Sequence, residues 1–171
     1  MPHSDQSRLD KKNIDTILVL DFGSQYTQLI ARRIRELDVF SIILPWDISK
    51  ERILEINPTG IILSGGPESV TNKNTPRIPE IIFDLDIPIL GICYGMQTLA
   101  EQFGGQVTAS STKEFGHASI TLEQASILFD GFDAGSLVDV WMSHGDHVSS
   151  LPDQFLLIAS TPSAPIAAMA H

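Results

Sequence analysis

The hydrophobic positions of this chain fall into short continuous runs separated by segments of helical period. Thr16 to Leu20, Thr-Ile-Leu-Val-Leu, is an unbroken, largely β-branched run suited to a strand buried on both faces. From about Gln25 to Leu37, Tyr26, Leu29, Ile30, Ile34 and Leu37 recur at helical spacing, while Arg32, Arg33, Arg35 and Glu36 take the wet side. That pattern predicts an amphipathic helix with Ser24 as its N-cap. Phe40 to Leu44 predicts a second strand, Ser49 caps a short helix through Ile56, and Gly60 to Leu63 predicts a third strand. Pro79 to Leu85 suits a helix, Ile87 to Ile92 a fourth strand, and about Met96 to Phe103 a helix stopped by Gly104-Gly105. Beyond it, short alternating runs around Val107, Ile120 and Leu137 to Met142 predict antiparallel strands at a sheet edge. The expected fold is α/β: an open, mostly parallel sheet with helices on both faces and an antiparallel edge.

Composition narrows the class. With 171 residues and 43% hydrophobic content the chain can bury one substantial core, which predicts one domain. Eleven basic against 21 acidic residues give a net charge of −10, which argues against nucleic acid and against an anionic membrane surface as partners. A single cysteine excludes an intramolecular disulfide and fits a reducing, cytoplasmic setting. The first fifteen residues are polar and lack the apolar stretch of a signal peptide, so they are expected to form a disordered leader. No stretch approaches the roughly 18 apolar residues of a membrane span.

The one cysteine, Cys93, stands between the fourth strand and the helix that follows, in the pattern Gly91-x-Cys93-x-Gly95. Lone cysteines are often small buried hydrophobes. Here the two glycines leave room for a tight strand-to-helix turn that lifts the central side chain clear of the sheet, as a nucleophile requires. At a helix start the thiol also meets unsatisfied N–H groups and the positive dipole end, which favour thiolate. The Tyr94 N–H, next in the chain, is placed to stabilise an oxyanion. Ligands of open parallel sheets sit beyond the carboxyl ends of the strands, and three such ends carry unusual sequence: Asp21-Phe22-Gly23, Ser64-Gly65-Gly66-Pro67 and Cys93-Tyr94-Gly95. Gly66 is a candidate second oxyanion donor, with an ordinary Gly-Gly-Pro turn as the alternative. A phosphate loop is not supported, since no Lys-Ser or Lys-Thr follows.

Gly91-Ile92-Cys93-Tyr94-Gly95-Met96-Gln97 resembles the nucleophile motif of the class I glutamine amidotransferases, and Leu63-Ser64-Gly65-Gly66-Pro67 resembles their oxyanion strand. Asp21-Phe22-Gly23-Ser24-Gln25-Tyr26, Lys113-Glu114-Phe115-Gly116 and Trp141-Met142-Ser143-His144-Gly145-Asp146 are similar to one branch of that family. That branch serves an ATP-dependent amination of XMP to GMP. The resemblance runs from about Ile17 to Met169 and implies a flavodoxin-like arrangement.

It further implies that Cys93 attacks the glutamine side-chain amide and forms a γ-glutamyl thioester. The Gly66 and Tyr94 amides would hold the oxyanion, Gln97 would bind the substrate, and Ser143-His144 would hold its amino-acid end through backbone groups. His144, Asp146 and His147 are read as loop residues, none of them the base. The family's base and orienting acid lie in a His-Pro-Glu motif, which these residues lack and which is expected downstream of His171.

Residues 16–171 are therefore expected to be an amidotransferase domain that is incomplete at its C-terminus. The ATP-pyrophosphatase and dimerisation domains implied by the resemblance are not present in the chain. The implied partners are glutamine, an ATP-pyrophosphatase domain of the same polypeptide and a second copy in a homodimer. The glutaminase part needs no cofactor, while ATP and Mg2+ belong to the synthetase part. A stand-alone cysteine hydrolase and a non-catalytic glutamine-binding module are the other readings of the same residues.

Overall fold

In the computed structural model, which describes residues 15–171 apart from the side chains of residues 110–115 and 144, the βα alternation builds one parallel sheet. β1 (Thr16–Asp21) lies at its centre, between β2 (Phe40–Pro45) and β3 (Gly60–Leu63), and β4 (Ile89–Gly91) completes the order β2-β1-β3-β4. Leu18 pairs with Ile42 on one side and Ile61 on the other. Side chains alternate across a strand, so β1 serves both faces. Leu18 and Leu20 join Ile53 of α2 (Lys50–Ile56), Ile61, Leu63, Ile82 and Tyr94 in the main core. On the opposite face, Ser41 stands beside Ile17 in register and its hydroxyl donates to the Ala31 carbonyl of α1 (Thr27–Arg35) at 3.1 Å.

α2 begins as its sequence predicts, with the Ser49 hydroxyl accepting from the Arg52 N–H at 3.3 Å, and ends at Asn57 in the left-handed region. α1 starts later than expected. Asp21 Oδ1 accepts from both the Gly23 N–H and the Thr27 hydroxyl, so residues 22–26 form a turn and the helix begins at Thr27. Ser24 caps that turn, accepting from the Tyr26 N–H at 3.0 Å, and is not the helix N-cap. The buried residues of α1 are Thr27 and Ala31, while Tyr26, Leu29 and Leu37 are exposed. The segment 79–85 winds as a 3-10 helix (Glu80–Asp84), with i to i+3 bonds from Ile82 N–H to Pro79 O and from Leu85 N–H to Ile82 O. β4 is three residues long because Pro88 has no N–H to pair and the chain turns off after Gly91.

After α3 (Tyr94–Gln102), β5 (Gln106–Leu122), β6 (Leu137–Ser150), β7 (Leu156–Ser160) and β8 (Ala168–Ala170) form an antiparallel sheet in the order β6-β5-β7-β8. The sequence placed these strands at an edge of the parallel sheet; the structure gives them a sheet of their own. β4 is too short to receive a strand of 17 residues, and β5 instead satisfies its backbone against β6, with a register shift between Ala109 and Glu114. Ile120, Leu122 and Ala159 form a second small core there.

The expectation of a disordered leader falls on residues outside those described, Asp15 apart. No described helix is long and apolar enough to cross a membrane.

Candidate active site

Three strand ends meet where strand order reverses beside β1, the place where open α/β sheets bind ligands. The Ile92 N–H still donates to Leu63 O at 2.9 Å, and one residue later the chain enters α3. Cys93 makes that joint with φ 50° and ψ −111°, a conformation that costs a non-glycine residue of the order of 1–3 kcal/mol and gathers at functional sites. Its glycine neighbours let α3 close onto the sheet. A Cβ on Gly95 would lie 2.4 Å from Leu63 O, and one on Gly91 would lie 2.7 Å from the Met96 nitrogen.

Opposite Cys93 runs the Gly65-Gly66 segment after β3; a Cβ on Gly65 would sit 3.5 Å from the Cys93 Cβ, so bare backbone borders the thiol. One turn into α3, Gln97 is buried and its Nε2 donates to the Asp146 carbonyl of β6 at 2.8 Å. A cavity of about 580 Å³ opens over these groups, lined among others by Gly66, Cys93, Tyr94, Gln97, Ser143 and Asp146. A smaller chamber of about 90 Å³ shares Cys93, Gln97 and Asp146 with it and is lined also by Met96, Met142, Ile166 and His147.

Burial pushes the Cys93 thiol up from its ordinary value, opposing the amides at the start of α3. Among the described residues that line the two cavities, His147 is the one whose side chain can carry positive charge. Its Nδ1 is buried without a hydrogen-bond partner among the described residues.

The profile of the family Glutamine amidotransferase class-I matches residues 18–171. The chain belongs to the class I glutamine amidotransferases. This amidotransferase chain is 57% identical over 162 residues to the glutamine-hydrolyzing GMP synthase of Hahella chejuensis, spanning 91% of this chain and 31% of that protein. It is 59% identical over 159 residues to the same enzyme of Teredinibacter turnerae, spanning 90% and 30%. The chain thus spans about a third of the length of the curated relatives it matches. Among solved structures, a Thermoplasma acidophilum protein named for a GMP synthase superposes with a TM-score of 0.79 at 32% identity, over 92% of this chain and 78% of that one.

Of the residues singled out in the sequence, this amidotransferase brings Gly66, Cys93, Tyr94, Gln97 and Ser143 to one cavity. His144, Asp146 and His147, read from the sequence as loop residues, instead lie in β6, paired in register with Glu114, Ala109 and Thr108; the side chain of His144 lies outside the described residues, as do those of Lys113, Glu114 and Phe115. The Tyr94 ring points away from the amide that its position makes interesting, with its hydroxyl donating to Pro76 O at 2.6 Å and its ring 5.5 Å from that of Phe22. Two features escape sequence reading. One is Ser64, fully buried between the strand ends; the other is the bond from Gln97 to a carbonyl 49 residues away. Among the described residues no group of three or more His, Cys, Asp and Glu side chains is placed to hold a metal ion.

Proposed function

We propose that this chain is the glutaminase part of a GMP synthase, releasing ammonia from glutamine for the ATP-dependent amination of XMP to GMP. The observation that carries the reading is Cys93, held in a strained strand-to-helix turn and facing a cavity rimmed by bare backbone at Gly65 and Gly66.

The Cys93 sulfur attacks the side-chain amide carbon of glutamine. The developing oxyanion is taken by the Gly66 and Tyr94 N–H groups, whose effect is largest in a water-poor site. Collapse of the tetrahedral intermediate breaks the C–N bond, ammonia leaves with a delivered proton, and a γ-glutamyl thioester remains for water to hydrolyse to glutamate. Gln97 and the Ser143-His144 backbone position the substrate. The base that takes the thiol proton and protonates the leaving ammonia comes from a His-Pro-Glu motif beyond His171. ATP and Mg2+ act in the ATP-pyrophosphatase domain of the same polypeptide, and the full-length enzyme works as a cytoplasmic homodimer.

Quenching the full-length enzyme in acid during glutamine turnover and weighing the intact chain tests the chemistry. A glutamyl adduct mapped to Cys93 is expected; turnover with an adduct on any other residue, or with none, would contradict it.

A further inference from the structure

Ser64 sits fully buried at the end of β3, and each of its polar atoms reaches a different part of the site. Its N–H donates to Leu20 O of β1 at 3.0 Å, and its carbonyl accepts the Gly95 N–H of α3 at 3.1 Å. Its hydroxyl accepts from the Phe22 N–H at 3.1 Å and donates to the Gly65 carbonyl at 3.0 Å. A trans peptide points its C=O and its N–H in opposite directions. With the Gly65 carbonyl drawn to the buried Ser64 hydroxyl, the Gly66 N–H faces away from Ser64, at a residue that lines the cavity. A Gly-Gly peptide has little steric resistance to rotation, so something else must set its orientation.

We propose that Ser64 is the positioning residue of this site. Its hydroxyl locks the Gly65–Gly66 peptide with the Gly66 N–H turned toward the reacting carbonyl, and its main-chain carbonyl ties the first turn of α3, which carries the Tyr94 amide, to the same strand end. The inference rests on the reading of Cys93 as the glutaminase nucleophile. Without the hydroxyl, the Gly65 carbonyl is released and the Phe22 N–H is left buried without its acceptor. Glutamine binding in the ground state loses little, because the oxyanion develops only in the transition state.

Gly66 itself offers no clean test, since any Cβ there would lie 2.6 Å from Phe22 O and displace the loop. Ser64→Ala and Ser64→Cys in the full-length enzyme, beside Cys93→Ala, provide one. In Ser64→Ala, kcat for glutamine hydrolysis should fall by about tenfold or more, with the roughly 10²–10³-fold cost of losing one oxyanion donor outright as the upper bound, while KM moves by less than about threefold. Ammonia-dependent synthesis and the rate at which iodoacetamide alkylates Cys93 should hold, since neither uses the oxyanion site. Ser64→Cys, which keeps the shape with a weaker hydrogen-bonding group, should fall between the two.

Wild-type kcat in Ser64→Ala overturns the proposal, and so does a parallel loss of kcat, KM and alkylation rate, which marks a collapsed loop. Should Ser64→Ala fail to fold, Ser64→Cys decides: a lower kcat at unchanged KM supports the role and wild-type kcat refutes it. Glutaminase activity surviving in Cys93→Ala would instead overturn the nucleophile reading beneath.

Discussion

At Cys93 two influences oppose each other: the amides that open α3 favour the thiolate, and burial favours the neutral thiol. A thiol pushed above its ordinary pKa is protonated at neutral pH, so the nucleophile must be generated by a base as the reaction begins. Alkylation of Cys93 by iodoacetamide should therefore rise with pH and reach its inflection above the usual thiol value. A fast, flat profile across the neutral range would reveal a preformed thiolate and contradict this. The residues of the site were legible where spacing carried the signal, as in Gly91-x-Cys93-x-Gly95 and the Gly65-Gly66 pair. Ser64 was not, because a serine before two glycines reads as a turn residue, and only three-dimensional packing shows its hydroxyl bridging Phe22 and Gly65.

Among the elements, β1, α2 and β3 follow directly from apolar runs and a serine cap, since local chemistry decides them. The start of α1 was missed because the Asp21 carboxylate, at a strand end, competes for Thr27. The separate antiparallel sheet was missed because the stretch from Thr108 to Lys113 breaks the alternation that marks a long strand. Exposed Tyr26 and Leu29 show that helical period alone did not identify the buried face of α1.

Gly95 separates local preference from packing. Helix propensity favours alanine over glycine by about 1 kcal/mol. Against that, an alanine Cβ would stand 2.4 Å from Leu63 O, in a joint with no freedom to shift. Gly95→Ala should destabilise by about 1–3 kcal/mol, seen as a lower denaturant midpoint at unchanged m-value. A stabilised variant would mean that α3 does not close on β3 as described. At the other end of α3, the Gln102 side chain accepts from the Ile78 N–H at 2.9 Å and donates to Ile78 O at 3.0 Å. Gln102→Leu should cost about 1–3 kcal/mol through the backbone groups left without partners, and an unchanged midpoint would show that water replaces them.

On the scale of the whole molecule, the parallel sheet, α3 and β6 together bring five of the expected site residues to one cavity, and none of the five is positioned as a base. The 171-residue chain alone should release ammonia from glutamine at a rate lower by about 10²–10⁴-fold than a chain extended through the expected His-Pro-Glu motif, the range a general base contributes. Comparable rates would move the base into this chain, with His147, which lines the smaller chamber together with Cys93, as the first residue to substitute.

The most direct test of the proposed chemistry is the pair of rates at which the full-length Cys93→Ala enzyme makes GMP from glutamine and from ammonia. Synthesis from glutamine should be abolished while synthesis from ammonia continues at the wild-type rate, since the amination half needs no thiol. Glutamine-dependent synthesis persisting without Cys93 would contradict the assignment of the nucleophile and of the site built around it.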